Sequence, residues 1–100
     1  MTTPKFATVA VLGAGTMGRG IAQVAATQGS RVALLDATLE RAETARDAID
    51  GALQRLVEKG KLEAGQHQAI LARIEATSDR GVAVSEADVI VEAEIGRAHV

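Results

Sequence analysis

"VAVLGAGTMGRGIA", residues 9–22, places four glycines in fourteen positions directly after a β-branched run. Thr8 to Leu12 reads as a short buried strand, apolar almost throughout. Gly13 and Gly15 break it. From Thr16 onward Met17, Ile21, Val24 and Ala25 recur at the i, i+4, i+7, i+8 spacing of an amphipathic helix, and Gly29 supplies a C-terminal stop. A glycine inside a helix or strand costs roughly 0.5–1 kcal/mol relative to alanine. Gly13, Gly15, Gly18 and Gly20 therefore need a reason: they turn the chain, or they leave room for something to dock.

Working outward, Arg31 to Asp36 ("RVALLD") is a second buried strand, again without polar alternation. Strand, helix and strand in this order make a βαβ unit, and buried runs of this kind imply a parallel sheet. Thr38 is an N-cap for the next helix, with Glu40 in its first turn where the helix dipole favours negative charge. Ala45, Ile49, Ala52, Leu53, Leu56 and Val57 mark its apolar face. Gly60 interrupts, and a third helix is expected from Leu62 to Ile74 with Ile70, Leu71 and Ile74 facing inward. "IEATSD" then reads as a third strand, Val82 to Ser85 as a helical turn, and "ADVIVEA" as a fourth strand. The connection from Ala37 to Ile74 exceeds one crossover helix, so two helices lie there as a hairpin or an arm. The expected fold is α/β: a Rossmann-type, doubly wound parallel sheet, incomplete at about four strands. A helical hairpin is inserted between strands 2 and 3.

Composition narrows the function classes. The chain has 100 residues, 47% of them apolar and 24% charged, as in an ordinary globular domain. Phe6 is the sole aromatic residue, so the core is expected to consist of Ala, Val, Ile and Leu. There is no cysteine, which excludes a disulfide framework or thiolate metal site and fits a reducing cytoplasm. A net charge of −2 without a basic block argues against nucleic-acid binding. The N-terminus lacks the regions of a signal peptide, and no apolar run reaches the roughly 18 residues of a membrane span. No metal ligand set is expected.

The spacing Gly13-Ala14-Gly15-Thr16-Met17-Gly18 fits a phosphate cradle. In a dinucleotide site the first glycine allows the tight turn, the second lets backbone approach the pyrophosphate, and the third lets helix and strand pack closely. Free N–H groups and the positive end of the helix dipole then face the phosphates. Gly20, one turn on, is expected to ease helix packing further. The six-residue pattern alone is weak; it gains weight from a strand before it, a helix after it and an acid about 20 residues on. All three are present. Asp36 ends the second strand, where its carboxylate would accept the hydroxyls of the adenine ribose, although such a residue could also merely start a turn or cap a helix. A carboxylate there disfavours a 2′-phosphate, and Ala37 and Thr38 add no positive charge. Arg41 lies close, but on a helix where a solvated surface role is expected. NAD is favoured over NADP.

"VAVLGAGTMGRGIAQVAATQG", followed by "VALLD" and a long two-helix connection, resembles the N-terminal NAD-binding domain of the 3-hydroxyacyl-CoA dehydrogenase family. The likeness runs from about Phe6 to Ala93, and "RLVEKGKL" looks like bacterial members acting on 3-hydroxybutyryl-CoA or in phenylacetate degradation. The resemblance implies oxidation of L-3-hydroxyacyl-CoA to 3-oxoacyl-CoA by hydride transfer to NAD, in fatty-acid or aromatic-acid catabolism. It assigns Gly13, Ala14, Gly15, Thr16, Met17, Gly18, Asp36, Glu92 and Ala93 to the cofactor. It also implies an acyl-CoA partner and a homodimer formed through a helical C-terminal domain; the cytoplasmic setting is expected from the composition and the N-terminus instead. By position Lys59 matches a family lysine that meets CoA phosphate, while Ala52 replaces a family serine. Arg55, Lys59 and Lys61 cluster around the expected hairpin turn and could meet an anion, or form a plain solvated tip. The family's catalytic histidine, glutamate, serine and asparagine are expected beyond residue 100. His67 is expected to be a solvated surface residue on an amphipathic helix, and His99 is not the catalytic histidine either.

The chain departs from the family after Glu92. Gly96 stands where the family has a second acidic residue, and no lysine follows. "EIGRAHV" also reads like a translated sequencing adapter, so residues 94–100 are expected to be a non-native tail on a truncated NAD-binding domain spanning residues 1–93. Such a fragment is expected to be inactive alone and to leave a sheet edge and an apolar face uncovered. Two alternatives stay open. One is a 3-hydroxyisobutyrate-type β-hydroxyacid dehydrogenase, which Asp36 and the long hairpin disfavour. The other is a non-catalytic nucleotide-binding sensor on the same fold.

Overall fold

The computed structural model describes residues 7–93. The reading of residues 94–100 as a non-native tail lies outside them. The elements follow in the order β1 (Thr8–Leu12), α1 (Thr16–Thr27), β2 (Arg31–Leu35), α2 (Leu39–Glu58), α3 (Ala64–Ala72), β3 (Ile74–Thr77), α4 (Arg80–Ser85) and β4 (Val89–Glu92). The four strands form one parallel sheet in the order β3-β2-β1-β4. This is the doubly wound arrangement expected from the βαβ pattern. The third helix is shorter than its apolar run suggests. Ile74 belongs to β3 instead, where it pairs with Val32 and is 2% exposed.

Alternation along the strands divides the core between the two faces of the sheet. Val9, Val11, Val32, Leu34 and Ile74 pack under the helices through Ala22, Ala26, Ala45, Ile49, Leu53 and Ile70. Ala10, Leu12 and Leu35 face the other way, against Ala83 of α4. The described core is aliphatic, as the composition requires. The two-helix insertion is a hairpin packed over the sheet, and Ile49 and Leu53 of α2 are fully buried in the main cluster.

The helix boundaries follow local chemistry. Thr38 Oγ1 accepts from the Arg41 backbone N–H at 3.2 Å, satisfying one orphan donor at the start of α2. At the end of α1, Gly29 has φ of 109°, a conformation that side chains with a Cβ resist. Its N–H donates to the Ala26 carbonyl while Ser30 N–H reaches Ala25, which is a Schellman closure.

On α1 the packing face differs from the expected one. Gly18, Ala22 and Ala26 are buried against the sheet, whereas Met17 and Val24 are 45% and 58% exposed. Small residues win that face because they let the helix approach the strands closely. The larger ones turn towards β4 and line an open groove with its Val89 and Val91, so an uncovered apolar face does lie beside this edge strand.

The other edge is managed. Arg46 of α2 donates from Nε to the Ile74 carbonyl at 2.8 Å and from Nη2 to the Leu71 carbonyl at 2.9 Å. It thereby ties α2 to the α3–β3 junction and covers a carbonyl that an edge strand would otherwise offer to another chain. Arg46→Met keeps most of the aliphatic stem and removes both bonds. We expect a loss of about 1–3 kcal/mol and a melting temperature lower by roughly 4–8 °C per kcal/mol. Thermal unfolding followed by circular dichroism checks this, and an unchanged midpoint would refute it.

Candidate functional site

The carboxyl ends of the parallel strands converge on one edge of the sheet, the side on which open α/β sheets bind ligands. Gly13 turns the chain out of β1 with φ of 114°, and its N–H donates to the Leu35 carbonyl at 2.8 Å, fastening the turn to β2. Gly18 answers a different need. A Cβ on it would stand 1.8 Å from the Gly13 carbonyl oxygen and 3.4 Å from a Val11 methyl, so only glycine lets α1 seat against the loop.

Gly15 has no such internal reason. It is the N-cap of α1 with φ of −76°, and a Cβ there would meet nothing within 4 Å. Backbone strain and protein packing both leave this glycine unexplained; a ligand approaching the backbone explains it. No side chain caps the helix, and no acid occupies its first turn. The first N–H groups of α1 and its positive dipole end therefore face open space. These residues fit the pyrophosphate of a dinucleotide. Gly20 is not a packing glycine: it is exposed, and a Cβ on it would also meet nothing.

Asp36 stands immediately after β2 and is tied to this loop. Its Oδ2 accepts from Ala14 N–H at 3.0 Å and its Oδ1 from Ala37 N–H at 2.6 Å. Burial alone would raise its pKa, but the two amides and then the Arg41 guanidinium hold it below the ordinary value. The group is a fixed, ionised acceptor with lone pairs to spare, as ribose hydroxyls require. Arg41 is not simply solvated: its Nη1 lies 3.7 Å from Asp36 Oδ1.

Glu92 and Ala93 reach the same edge through β4. Glu92 pairs in register with Leu12, and Ala93 N–H donates to the Leu12 carbonyl at 2.8 Å. Ala93 is buried. The Glu92 carboxylate is exposed and lies 3.6 Å from Arg80 Nη2.

The hairpin contributes a second surface. Arg55 of α2 shares a groove with Thr16 and Arg19 of α1, floored by Gly20, Ala48 and Ala52. Lys59 follows one turn later as the C-cap of α2, exposed, and Lys61 lies just past the Gly60 turn. Arg19 was not distinguishable in the sequence, because its relevance depends on where α2 crosses α1.

His67 overturns its expected role. It is buried, with Nε2 2.6 Å from Asp50 Oδ1, and it joins α3 to α2. Ile70 lies one turn further on the same inward face of α3. A polar ring can sit there because a carboxylate on the facing helix satisfies it.

The chain matches the family described as "3-hydroxyacyl-CoA dehydrogenase, NAD binding domain" over residues 8–100. The chain belongs to this family. It is 42% identical over 93 residues to the 3-hydroxyadipyl-CoA dehydrogenase of Escherichia coli K12, covering 93% of this chain and 19% of that protein. It is 41% identical over 83 residues to a probable 3-hydroxybutyryl-CoA dehydrogenase of Deinococcus radiodurans, covering 83% of this chain and 29% of that protein. The crystal structure of (S)-3-hydroxybutyryl-CoA dehydrogenase from Ralstonia eutropha superposes with a TM-score of 0.88 at 30% identity, over 95% of this chain and 33% of that one. The chain thus spans a fifth to a third of the length of these relatives. This 3-hydroxyacyl-CoA dehydrogenase NAD-binding domain has the Rossmann-type fold of its structural neighbours, and NAD is its family's cofactor.

Proposed function

We propose that this NAD-binding domain serves an enzyme that interconverts L-3-hydroxyacyl-CoA and 3-oxoacyl-CoA. The nucleotide half of this reading is carried by the pairing of an unobstructed glycine loop at the mouth of α1 with the ionised Asp36 carboxylate fastened to it, and the substrate class is supported by the family match. When bound, NAD supplies the hydride acceptor. The N–H groups from Gly15 to Gly18, at the mouth of α1, hold its pyrophosphate, on a turn that Gly13 and Ala14 fasten to β2 and Asp36, and Asp36 holds the adenine ribose. Glu92 and Ala93 lie towards the nicotinamide half. Lys59, with Arg55 and Arg19 along the adjoining groove, takes the phosphate end of coenzyme A by charge-assisted hydrogen bonds. The working enzyme is read as a cytoplasmic homodimer, its substrate base supplied from outside these residues. His67 cannot act as that base, since it is buried in the α2–α3 seam on Asp50. Among the described residues no helix is long and apolar enough to cross a membrane.

Calorimetry of the 100-residue chain with NAD tests the binding reading. Saturable one-to-one binding is expected, while acetoacetyl-CoA and NADH are expected to show no turnover on this chain. Absence of NAD binding would overturn the first statement. NADH oxidation dependent on the chain would overturn the second.

A further inference from the structure

Arg41 is the third residue of α2, within the first turn, where a cation opposes the helix dipole. Its backbone N–H is bonded to Thr38 Oγ1, which fixes where the side chain departs. That side chain is 71% exposed, and its Nη1 lies 3.7 Å from Asp36 Oδ1, too far for a good hydrogen bond. Among the described residues no other carboxylate lies within 4 Å of it. A flat guanidinium thus stands open beside the carboxylate that is to hold the adenine ribose.

Asp36 cannot swing away from this arrangement, because both its oxygens are held by the amides of Ala14 and Ala37. The sugar it grips is fixed with it, and the base is bonded to the sugar carbon next to the one that bears the 2′-hydroxyl. The ring therefore comes to lie within one side chain's reach of Asp36, where Arg41 stands. The surface there suits a neutral ring and not a further anion. Asp36 and the exposed Glu40 precede Arg41, and Leu39, 46% exposed at the first position of α2, adds open apolar surface. Nucleic-acid bases stack on guanidinium planes, and an arginine over a ring face within about 6 Å of its centre is attracted to it. We propose that Arg41 is a specificity-determining residue of the NAD site, its guanidinium stacking on the adenine base. The proposal rests on the reading of Asp36 as the ribose carboxylate.

The test uses ADP-ribose, which carries the adenine half of NAD without the nicotinamide, titrated into the 100-residue chain as wild type, Arg41→Leu and Arg41→Lys. Affinity is read by calorimetry, and stacking by the fall in ultraviolet absorbance of the base per ligand bound. The chain has no tryptophan or tyrosine and one phenylalanine, so the adenine band is read almost without background. The wild type is expected to show the fall in absorbance. Arg41→Leu is expected to abolish it and to weaken binding about three- to fivefold, the size of one exposed cation–π contact. Arg41→Lys keeps the positive charge beside Asp36 but loses the flat face, so most of the absorbance change should go while affinity falls between the other two. The proposal is overturned if the absorbance change persists in Arg41→Leu, or if Arg41→Lys matches the wild type in both readouts, which would reduce Arg41 to a charge acting on Asp36. Binding that ignores Arg41 sinks this proposal alone; a wild type that fails to bind ADP-ribose sinks the nucleotide reading and this proposal with it.

Discussion

Gly18→Ala is expected to abolish or severely weaken folding, with a loss of at least about 3 kcal/mol and a melting midpoint lower by more than about 12 °C. The new methyl would stand 1.8 Å from the Gly13 carbonyl oxygen. That obstacle is backbone, and it is held in place because Gly13 N–H is bonded to Leu35 of the neighbouring strand. Relief requires α1 to lift from the sheet, which would open the contacts of Ala22 and Ala26 with the main core. Gly15→Ala is the informative companion. Its methyl would project into open space at an ordinary φ, so stability should change by no more than about 1 kcal/mol. NAD affinity, in contrast, should fall by tenfold or more, as the methyl takes the place of the approaching phosphates. Thermal melts and calorimetry on both variants check the division of labour. A midpoint for Gly18→Ala within about 3 °C of the wild type would refute the packing role, and unaltered NAD affinity in Gly15→Ala would refute the docking role.

The same division explains how much was legible in advance. Gly13, Gly15 and Gly18 announce themselves because backbone conformation and close approach are properties of residue type and spacing, and the chain must express them locally. The Thr38 cap and the Gly29 stop are local for the same reason. Features that depend on a partner remote in sequence were hidden. His67 is buried because Asp50, 17 residues away on another helix, satisfies its ring. Arg46 matters through carbonyls at the start of β3, and Arg19 through the crossing of α2. Apolar periodicity on α1 also misled, since it marked Met17 and Val24, whereas close packing selected the small face of Gly18, Ala22 and Ala26. A hydrophobic pattern says that a face is apolar; residue volume decides which face can come nearest the sheet.

Asp36→Ala is expected to cost about 100-fold in NAD affinity. A hydrogen bond to a charged acceptor contributes roughly 1.5–3 kcal/mol, and each tenfold in affinity is worth about 1.4 kcal/mol, so loss of the ribose grip alone accounts for that factor. The loop suffers as well, because Ala14 N–H and Ala37 N–H both lose their acceptor. Asp36→Asn sharpens the test. An asparagine has one acceptor oxygen where the aspartate uses two, so its NH2 group must face one of those backbone N–H donors. This nearly isosteric change should therefore also weaken binding, by at least about tenfold, and lower stability. The pH dependence has a definite sign. The folded-state pKa of Asp36 lies below its ordinary 3.8. Its contribution to stability is thus fully present above that ordinary value and is lost as pH falls through the lower, folded one. NAD affinity should accordingly stay level from neutral pH down to about 5 as far as this group is concerned, and the acid-side loss of stability should be smaller in Asp36→Asn. Titrations at several pH values decide it: an asparagine variant that binds NAD within threefold of the wild type would remove Asp36 from the site, whatever its place at the end of β2.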